Sequence, residues 1–235
     1  MKKASKILFL IPTMLCMAFV PGKAQDAPMP FTGSIQYNIK NTSDMLPPEH
    51  LAQLPTSASI KMSKDKMVFE QADGNKAIVD AATNEIHTLA NLSMMGLGKY
   101  HIIESVAETA ADTASIQGAK LTATGQSKII KGYTAYEYTA TIKGEQGSVD
   151  LSIWCVPDFC NPAFNWATQV AVGQLNGFPL EYSLKTAAYT MNFVVGKLHY
   201  GEVDEKAFAI PKSYKPSTVE EMQKDVEEFM KAMGM

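Results

Sequence analysis

The stretch QSKIIKGYTAYEYTATIKGEQGSVDLSIWCVPDFC, residues 126–160, decides the fold. Up to Ile142, β-branched and aromatic residues alternate with polar ones, which predicts one half-buried strand running through Lys131 and Gly132. The segment 143–147 contains two glycines and predicts a turn, because glycine adopts positive φ without steric cost. A second alternating strand follows and ends near Cys155. The stretch therefore predicts an antiparallel hairpin with one buried face.

The first 24 residues have the pattern of a signal peptide. A basic start is followed by an apolar run over 7–20 and by small residues up to Ala24. The run is shorter than the ~20 residues that a membrane helix needs. We therefore expect cleavage after Ala24 and a periplasmic or secreted protein. We expect residues 25–30 to form a polar, flexible lead-in and residues 31–235 to form a single domain.

Charge and composition exclude several classes of function. Four of the 21 basic residues and no acid lie in the signal segment, so the chain after it has a net charge of −7. Such a chain does not attract nucleic acid by its field. All the basic residues are lysines, and arginine is the usual bidentate partner of phosphate. No nucleotide-binding or catalytic motif is present, so we expect no cofactor and no enzyme activity.

Two cysteines follow the signal segment, Cys155 and Cys160. In an exported domain, two cysteines most simply form a disulfide, which here would close a short loop at the end of the strand. A redox pair would favour the tighter C-x-x-C spacing. A metal site would need further ligands, such as His101 or His199, from distant parts of the chain.

The rest of the chain predicts about ten short strands and few helices, which is typical of a large antiparallel sheet. An Asn161–Pro162 cap precedes 163–175, which we interpret as a helix or a covering loop. The clearest helix is amphipathic and C-terminal, over 217–235, and Ser217 to Glu220 match a capping box. The predicted strands are 31–40, 58–63, 66–71, 76–80, 85–89, 100–104, the two strands of 126–160, 178–185 and 189–198, with 121–125 leading into the hairpin.

Methionine is abundant, and two interpretations stay open. Thioethers select Cu(I), so Met94 and Met95 near His101 are compatible with a soft-metal site. Methionine is also an adaptable apolar lining for a core or a lipid cavity, which is the interpretation we prefer. The four histidines form no i, i+4 pair, and exposed or locally hydrogen-bonded rings are the default, so no metal site is predicted.

Several short motifs follow the predicted strands: Met62–Glu70 with Ala77–Asp80, then Gly132–Tyr133, Glu137–Tyr138, Trp154 and Gly177–Tyr182. A Phe-x-Ile-Pro-x-x-Tyr element lies within Phe208–Lys215. Together these motifs resemble the lipoprotein-carrier-like (LolA-like) periplasmic superfamily, specifically an exported branch of it whose function is unknown. In this resemblance the first two segments match the early strands of that family and the last element closes the domain.

The resemblance implies a mainly β (α+β) fold, a strongly curved antiparallel half-barrel whose concave apolar face is covered by helices and accepts acyl chains. We expect either a non-enzymatic carrier of a lipid or acylated protein, or an envelope interaction module with a filled core and no small ligand. In the carrier, the expected ligand-lining residues are Tyr136, Tyr138, Trp154, Trp166, Phe178, Met222, Phe229 and Met230.

Overall fold

The computed structural model describes residues 31–105, 121–144, 147–157, 159 and 177–233. These residues form one large, open, curved sheet of twelve strands with two α-helices, α1 (Pro48–Leu51) and α2 (Val219–Ala232). The mainly β fold with few helices is therefore confirmed. The strands are β1 (Gly33–Thr42), β2 (Ser57–Met62), β3 (Lys66–Gln71), β4 (Lys76–Asp80), β5 (Glu85–Asn91), β6 (Lys99–Ser105), β7 (Thr122–Ile130), β8 (Tyr133–Gly144), β9 (Gly147–Val156), β10 (Phe178–Lys185), β11 (Thr190–Tyr200) and β12 (Lys215–Pro216).

The sheet consists of two meanders joined at its centre. Its order is β12-β6-β5-β4-β3-β2-β1-β11-β10-β9-β8-β7, and every pair except β12–β6 is antiparallel. Short turns make the meanders, as at Asp73–Gly74, where Gly74 has a φ of 88°. The pairing of β1 with β11 joins the first half of the chain to the second.

One face of the sheet, the core face, carries the largest apolar cluster. Strand alternation places Ile35 and Tyr37 of β1 there, next to Ile60 of β2 and Phe193 of β11. The cluster continues over Tyr182 and Ile153 to the other end of the sheet. We call the opposite side the outer face.

The closing segment covers part of the outer face. A 3-10 turn at Glu205–Phe208 buries Phe208 against Val68, Ile78 and Leu89 of β3, β4 and β5. Tyr214 joins this cluster, and its hydroxyl donates a hydrogen bond of 2.8 Å to the carbonyl of Gly74. The Phe-x-Ile-Pro-x-x-Tyr segment thus uses its two aromatic residues as anchors on the outer face.

The prediction of one strand through Lys131 and Gly132 is wrong. The chain turns there, and β7 and β8 pair antiparallel on either side of these two residues. Both have positive φ, 52° at Lys131 and 88° at Gly132, as a two-residue hairpin turn with matching twist requires. Beyond the turn, Tyr136 and Tyr138 pair with Cys155 and Ile153, and Trp154 lies on the opposite face, as predicted.

Helix α2 begins one residue later than its predicted capping box implies. Thr218 is the N-cap, and its Oγ1 accepts a hydrogen bond from the Glu221 N–H at 3.2 Å. Glu221 Oε2 accepts one in return from the Thr218 N–H at 3.1 Å. The capping box is therefore Thr218–Glu221 and not Ser217–Glu220. The helix packs Met222 and Val226 against Ala90, Leu92 and Tyr100 at the β5–β6 end of the sheet.

Candidate ligand-binding face

Three aromatic rings form the centre of the core face. Tyr37, Tyr182 and Phe193 lie on the adjacent strands β1, β10 and β11, and all are buried. The rings of Tyr182 and Phe193 stack, with centroids 4.1 Å apart and planes at 11°. Tyr37 meets both rings edge-on, with centroids 5.5 and 6.2 Å away. Side chains in such contact form a rigid apolar floor.

The tyrosine hydroxyls of this face carry no charge at neutral pH. The Tyr37 hydroxyl donates a hydrogen bond of 2.5 Å to the carbonyl of Pro179. Burial raises the pKa of Tyr37, and Tyr182 and Cys155 raise it further. Burial also raises the pKa of Tyr182 and of Tyr138. Each hydroxyl therefore stays protonated and uncharged at neutral pH.

The core face is still apolar at β8, β9 and β10, where its side chains become partly exposed to solvent. Leu151 is buried and pairs with Ala140 on one side and with Leu184 on the other. Leu184 is only half-buried, as are Tyr138 and Val149, and all three pack against the main cluster. The apolar surface therefore extends from the closed centre to a rim on β8, β9 and β10 that solvent reaches.

The outer face of the same strands is polar. A depression of about 580 Å³ at this end has a lining that is mostly hydroxyl-bearing or charged. Thr139, Ser152 and Ser183, which pair across β8, β9 and β10, contribute to it. Such a surface offers hydrogen-bonding groups rather than a site for an acyl chain.

Trp154 lies on this outer face, between two glutamates that each have polar partners. Lys128 places its Nζ 4.2 Å from the centre of the indole ring and forms an ion pair with Glu181. Glu137, on the other side, accepts hydrogen bonds from Thr124 at 2.9 Å and from Ser152 at 3.1 Å. The two carboxylates thus have separate partners and form no acid–base pair.

The structure brings only part of the predicted lining together. Tyr138 packs against the main cluster on the core face, Phe178 is buried within that cluster, and Tyr136 is 45% exposed on the core-face side of β8. Trp154 touches the cluster from the opposite face. Met222 belongs to the separate cluster under α2, where Phe229 and Met230 are half-buried. Trp166 lies outside the described residues.

Comparison with known proteins adds a likeness of fold. No protein-family model matches the chain, and no curated protein matches its sequence. PNGF-II in its C2 crystal form superposes with a TM-score of 0.50 at 10% identity, over 84% of this chain and 33% of that one. This chain therefore spans about a third of the length of PNGF-II. At that identity the likeness concerns the fold alone.

Two further solved structures match with lower scores. The lipoprotein LppX of Mycobacterium tuberculosis gives a TM-score of 0.36 at 15% identity, over 74% of this chain and 89% of LppX. LprF of Mycobacterium bovis gives 0.32 at 12% identity, over 78% of this chain and 90% of LprF. The LolA-like resemblance found in the sequence stays a prediction.

Sequence reasoning missed Phe193 as a member of this face. Its signal was present, because Met191, Phe193 and Val195 alternate along β11 and all three are buried. No local pattern places Phe193 beside the predicted lining residues, because β11 meets β1 and β10 only in the folded sheet. The order of the strands places β11 two strands away from β9, which brings Phe193 into the site.

Of the two cysteines predicted to pair, the described residues include Cys155. Cys155 is buried, but Cys160 lies outside the described residues, as do the signal segment, the lead-in and 163–175, so the disulfide stays a prediction. Among the described residues, no group of three or more His, Cys, Asp or Glu side chains is arranged to hold a metal ion. No helix in this part of the chain is long and apolar enough to cross a membrane.

Proposed function

We propose that the protein is an exported, non-enzymatic binding protein that takes an apolar ligand, a lipid chain or an acylated protein, on its core face. The observation that carries the proposal is the half-buried rim of Tyr138, Val149 and Leu184. It continues the uncharged apolar floor of Tyr37, Tyr182 and Phe193 toward solvent. A ligand can therefore make its first apolar contacts at β8–β10.

The energetics favour an acyl chain over a small apolar molecule. The centre of the core face is closed, so a ligand that enters must displace packed side chains. Each CH₂ group taken from water contributes about 0.8 kcal/mol, so a chain of a dozen carbons gains roughly 10 kcal/mol against that cost. Met62, Met67 and Met191 belong to the cluster, and their flexible side chains can repack around a chain.

The second candidate is an envelope interaction module whose core face is simply its core. The burial of Ile35, Ile60 and Ile153, none more than 1% exposed, favours it. In this case the rim residues are the edge of a filled core and take no ligand. The two candidates therefore differ in whether an apolar probe binds at all.

A pair of lysine substitutions on neighbouring residues tests the proposal. Tyr138 and Thr139 are both half-buried on β8 but point to opposite faces. Binding of a fluorescent fatty-acid analogue is measured for the wild type, Tyr138→Lys and Thr139→Lys. A charge placed against an acyl chain must be desolvated, so we expect Tyr138→Lys to weaken binding at least tenfold. Thr139→Lys should stay within about twofold of the wild type.

Each other result has a defined meaning. Circular dichroism spectra and melting curves establish that both variants are folded. Absence of saturable binding by the wild type would favour the interaction module. Equal losses in both variants would show that the probe does not bind on the core face and would contradict the proposal.

A further inference from the structure

Two histidines that are 14 residues apart in the chain face each other on the outer face of the sheet. His87 lies on β5 and His101 on β6, whose pairing extends from Glu85–Ser105 to Asn91–Lys99. His87 Nδ1 and His101 Nε2 are 3.1 Å apart, and the rings stack with their planes at 28°. The sequence predicted exposed or locally hydrogen-bonded rings, and the contact between these two depends on the register of β5 and β6.

The distance between the two nitrogens suits a shared metal ion. Imidazole nitrogens bind Zn(II) at about 2.0–2.1 Å, so two of them on one ion lie about 2.9 Å apart at a right angle and about 3.4 Å apart at a tetrahedral angle. The 3.1 Å separation falls between these values. The two nitrogens share a hydrogen bond, which an ion bound to both of them would replace.

The surroundings supply two features of metal-bound histidine. Glu85 Oε2 lies 3.6 Å from His87 Nε2, the ring nitrogen that faces away from His101. A carboxylate behind a ligating histidine orients the ring and increases its basicity. His101 is half-buried, so its ring is partly shielded from bulk water.

The backbone around the pair is held in place. Ile78, which pairs with His87 across β4–β5, belongs to the apolar cluster formed with Leu89, Phe208 and Tyr214. The carbonyl of His101 accepts a hydrogen bond of 2.9 Å from the Ser217 N–H, beside the β12–β6 pairing. Both ligands would therefore be fixed by secondary structure before a metal arrives, which reduces the ordering that binding requires.

We propose that His87 and His101 form a two-histidine site for a divalent transition metal of the type that imidazole prefers, with Cu(II) bound more tightly than Zn(II). This order follows from the intrinsic affinities of nitrogen ligands for these ions. Water completes the coordination, and Glu85 acts as the outer carboxylate. Met95 is not part of the site, because it packs in the cluster with Ala90 and Leu92. The site is independent of ligand binding on the core face.

The test uses untagged protein and Cu(II) followed by electron paramagnetic resonance, together with melting curves. Variants His87→Ala and His101→Ala remove the ligands, and His50→Ala and His199→Ala are matched controls on exposed histidines. We expect hyperfine coupling to two imidazole nitrogens in the wild type. At a metal concentration 100 times Kd, Tm should rise by about 5–10 °C. Either ligand variant should weaken binding at least tenfold, and the controls should not.

Further variants keep the proposal testable if an alanine variant does not fold. His87→Asn and His101→Asn retain a polar side chain, and they should also lose the two-nitrogen spectrum. Copper binding that survives these substitutions would overturn the proposal. So would binding that is lost only with His50 or His199, a spectrum dominated by sulfur, or no binding by the wild type.

Discussion

Glu70 shows how charge is arranged on the outer face of the first meander. Its Oε1 lies 2.8 Å from Lys76 Nζ and its Oε2 lies 3.3 Å from Lys61 Nζ, on the strands to either side. Burial alone would raise the pKa of Glu70, but the two lysines outweigh it, and the pKa is lowered. The folded state therefore holds Glu70 ionised to lower pH than the unfolded chain does.

This shift predicts a pH dependence for Glu70→Gln. A carboxyl whose folded pKa is lowered stabilises the fold above its unfolded pKa, about 4.3, and that contribution is lost as pH falls through the folded pKa. The variant should be less stable than the wild type by about 0.5–1 kcal/mol at pH 7, with the difference shrinking below pH ~4. Urea unfolding across this range measures it.

Glu228→Gln is the matched control. The Glu228–Lys224 pair is long, 3.9 Å, and both side chains are largely exposed. This substitution should change stability little at any pH. A wild-type minus Glu70→Gln difference that is constant from pH 7 to pH 3 would contradict the assignment.

At the scale of elements, local patterns predicted the strands well and their boundaries less well. Lys66–Gln71 and Lys76–Asp80 were predicted with the observed bounds, because alternation and the Asp-Gly turn agree there. The hairpin at Lys131–Gly132 was missed because lysine is not a typical residue at positive φ, so the alternation appeared continuous. A turn that depends on one unfavourable residue leaves only a weak signal in the sequence.

The first residue of α2 is set by a contact with the sheet, because the sequence contains two possible capping boxes there. Both Ser217 and Thr218 have a glutamate three residues later, so each matches a capping box. The N–H of Ser217 is bonded to the His101 carbonyl at the end of the β12–β6 pairing. Ser217 therefore belongs to the sheet edge, and the cap moves to Thr218.

A pair of alanine substitutions tests this assignment. Thr218→Ala removes the cap and should cost about 1 kcal/mol, measured as increased amide exchange in the first turns of α2. In the wild type, the Ser217 hydroxyl donates a hydrogen bond of 3.0 Å to Glu221 Oε2. Ser217→Ala removes this side-chain contact but not the N-cap, so it should lower the stability of the helix by less than ~0.5 kcal/mol. The reverse order of effects would support the Ser217 box.

At the scale of the whole molecule, the class of fold was predictable and the order of the strands was not. Most neighbouring strands are also consecutive in the chain, which alternation and turns can predict. The pairing of β1 with β11 and of β12 with β6 joins distant segments, and no local pattern encodes it. The aromatic floor depends on the β1–β11 pairing, whereas the His87–His101 pair depends on the register of the consecutive strands β5 and β6. The sequence could thus identify candidate site residues but could not show which of them are in contact in the folded protein.

The core face is the surface on which we propose that the protein binds its ligand. Its floor is uncharged, and it reaches solvent at a half-buried apolar rim. The outer face of the same strands carries hydroxyl groups and satisfied charges instead. A ligand taken by the protein should therefore be apolar and removable by organic solvent.

Native mass spectrometry of the protein purified without denaturation from the cells that produce it, before and after solvent extraction, tests this claim most directly. We predict a bound species of lipid mass that solvent releases and that the extracted protein takes up again when lipid is offered. A clean mass for the unliganded protein, with no uptake of offered lipid, would contradict the account and leave the filled-core interaction module as the better description.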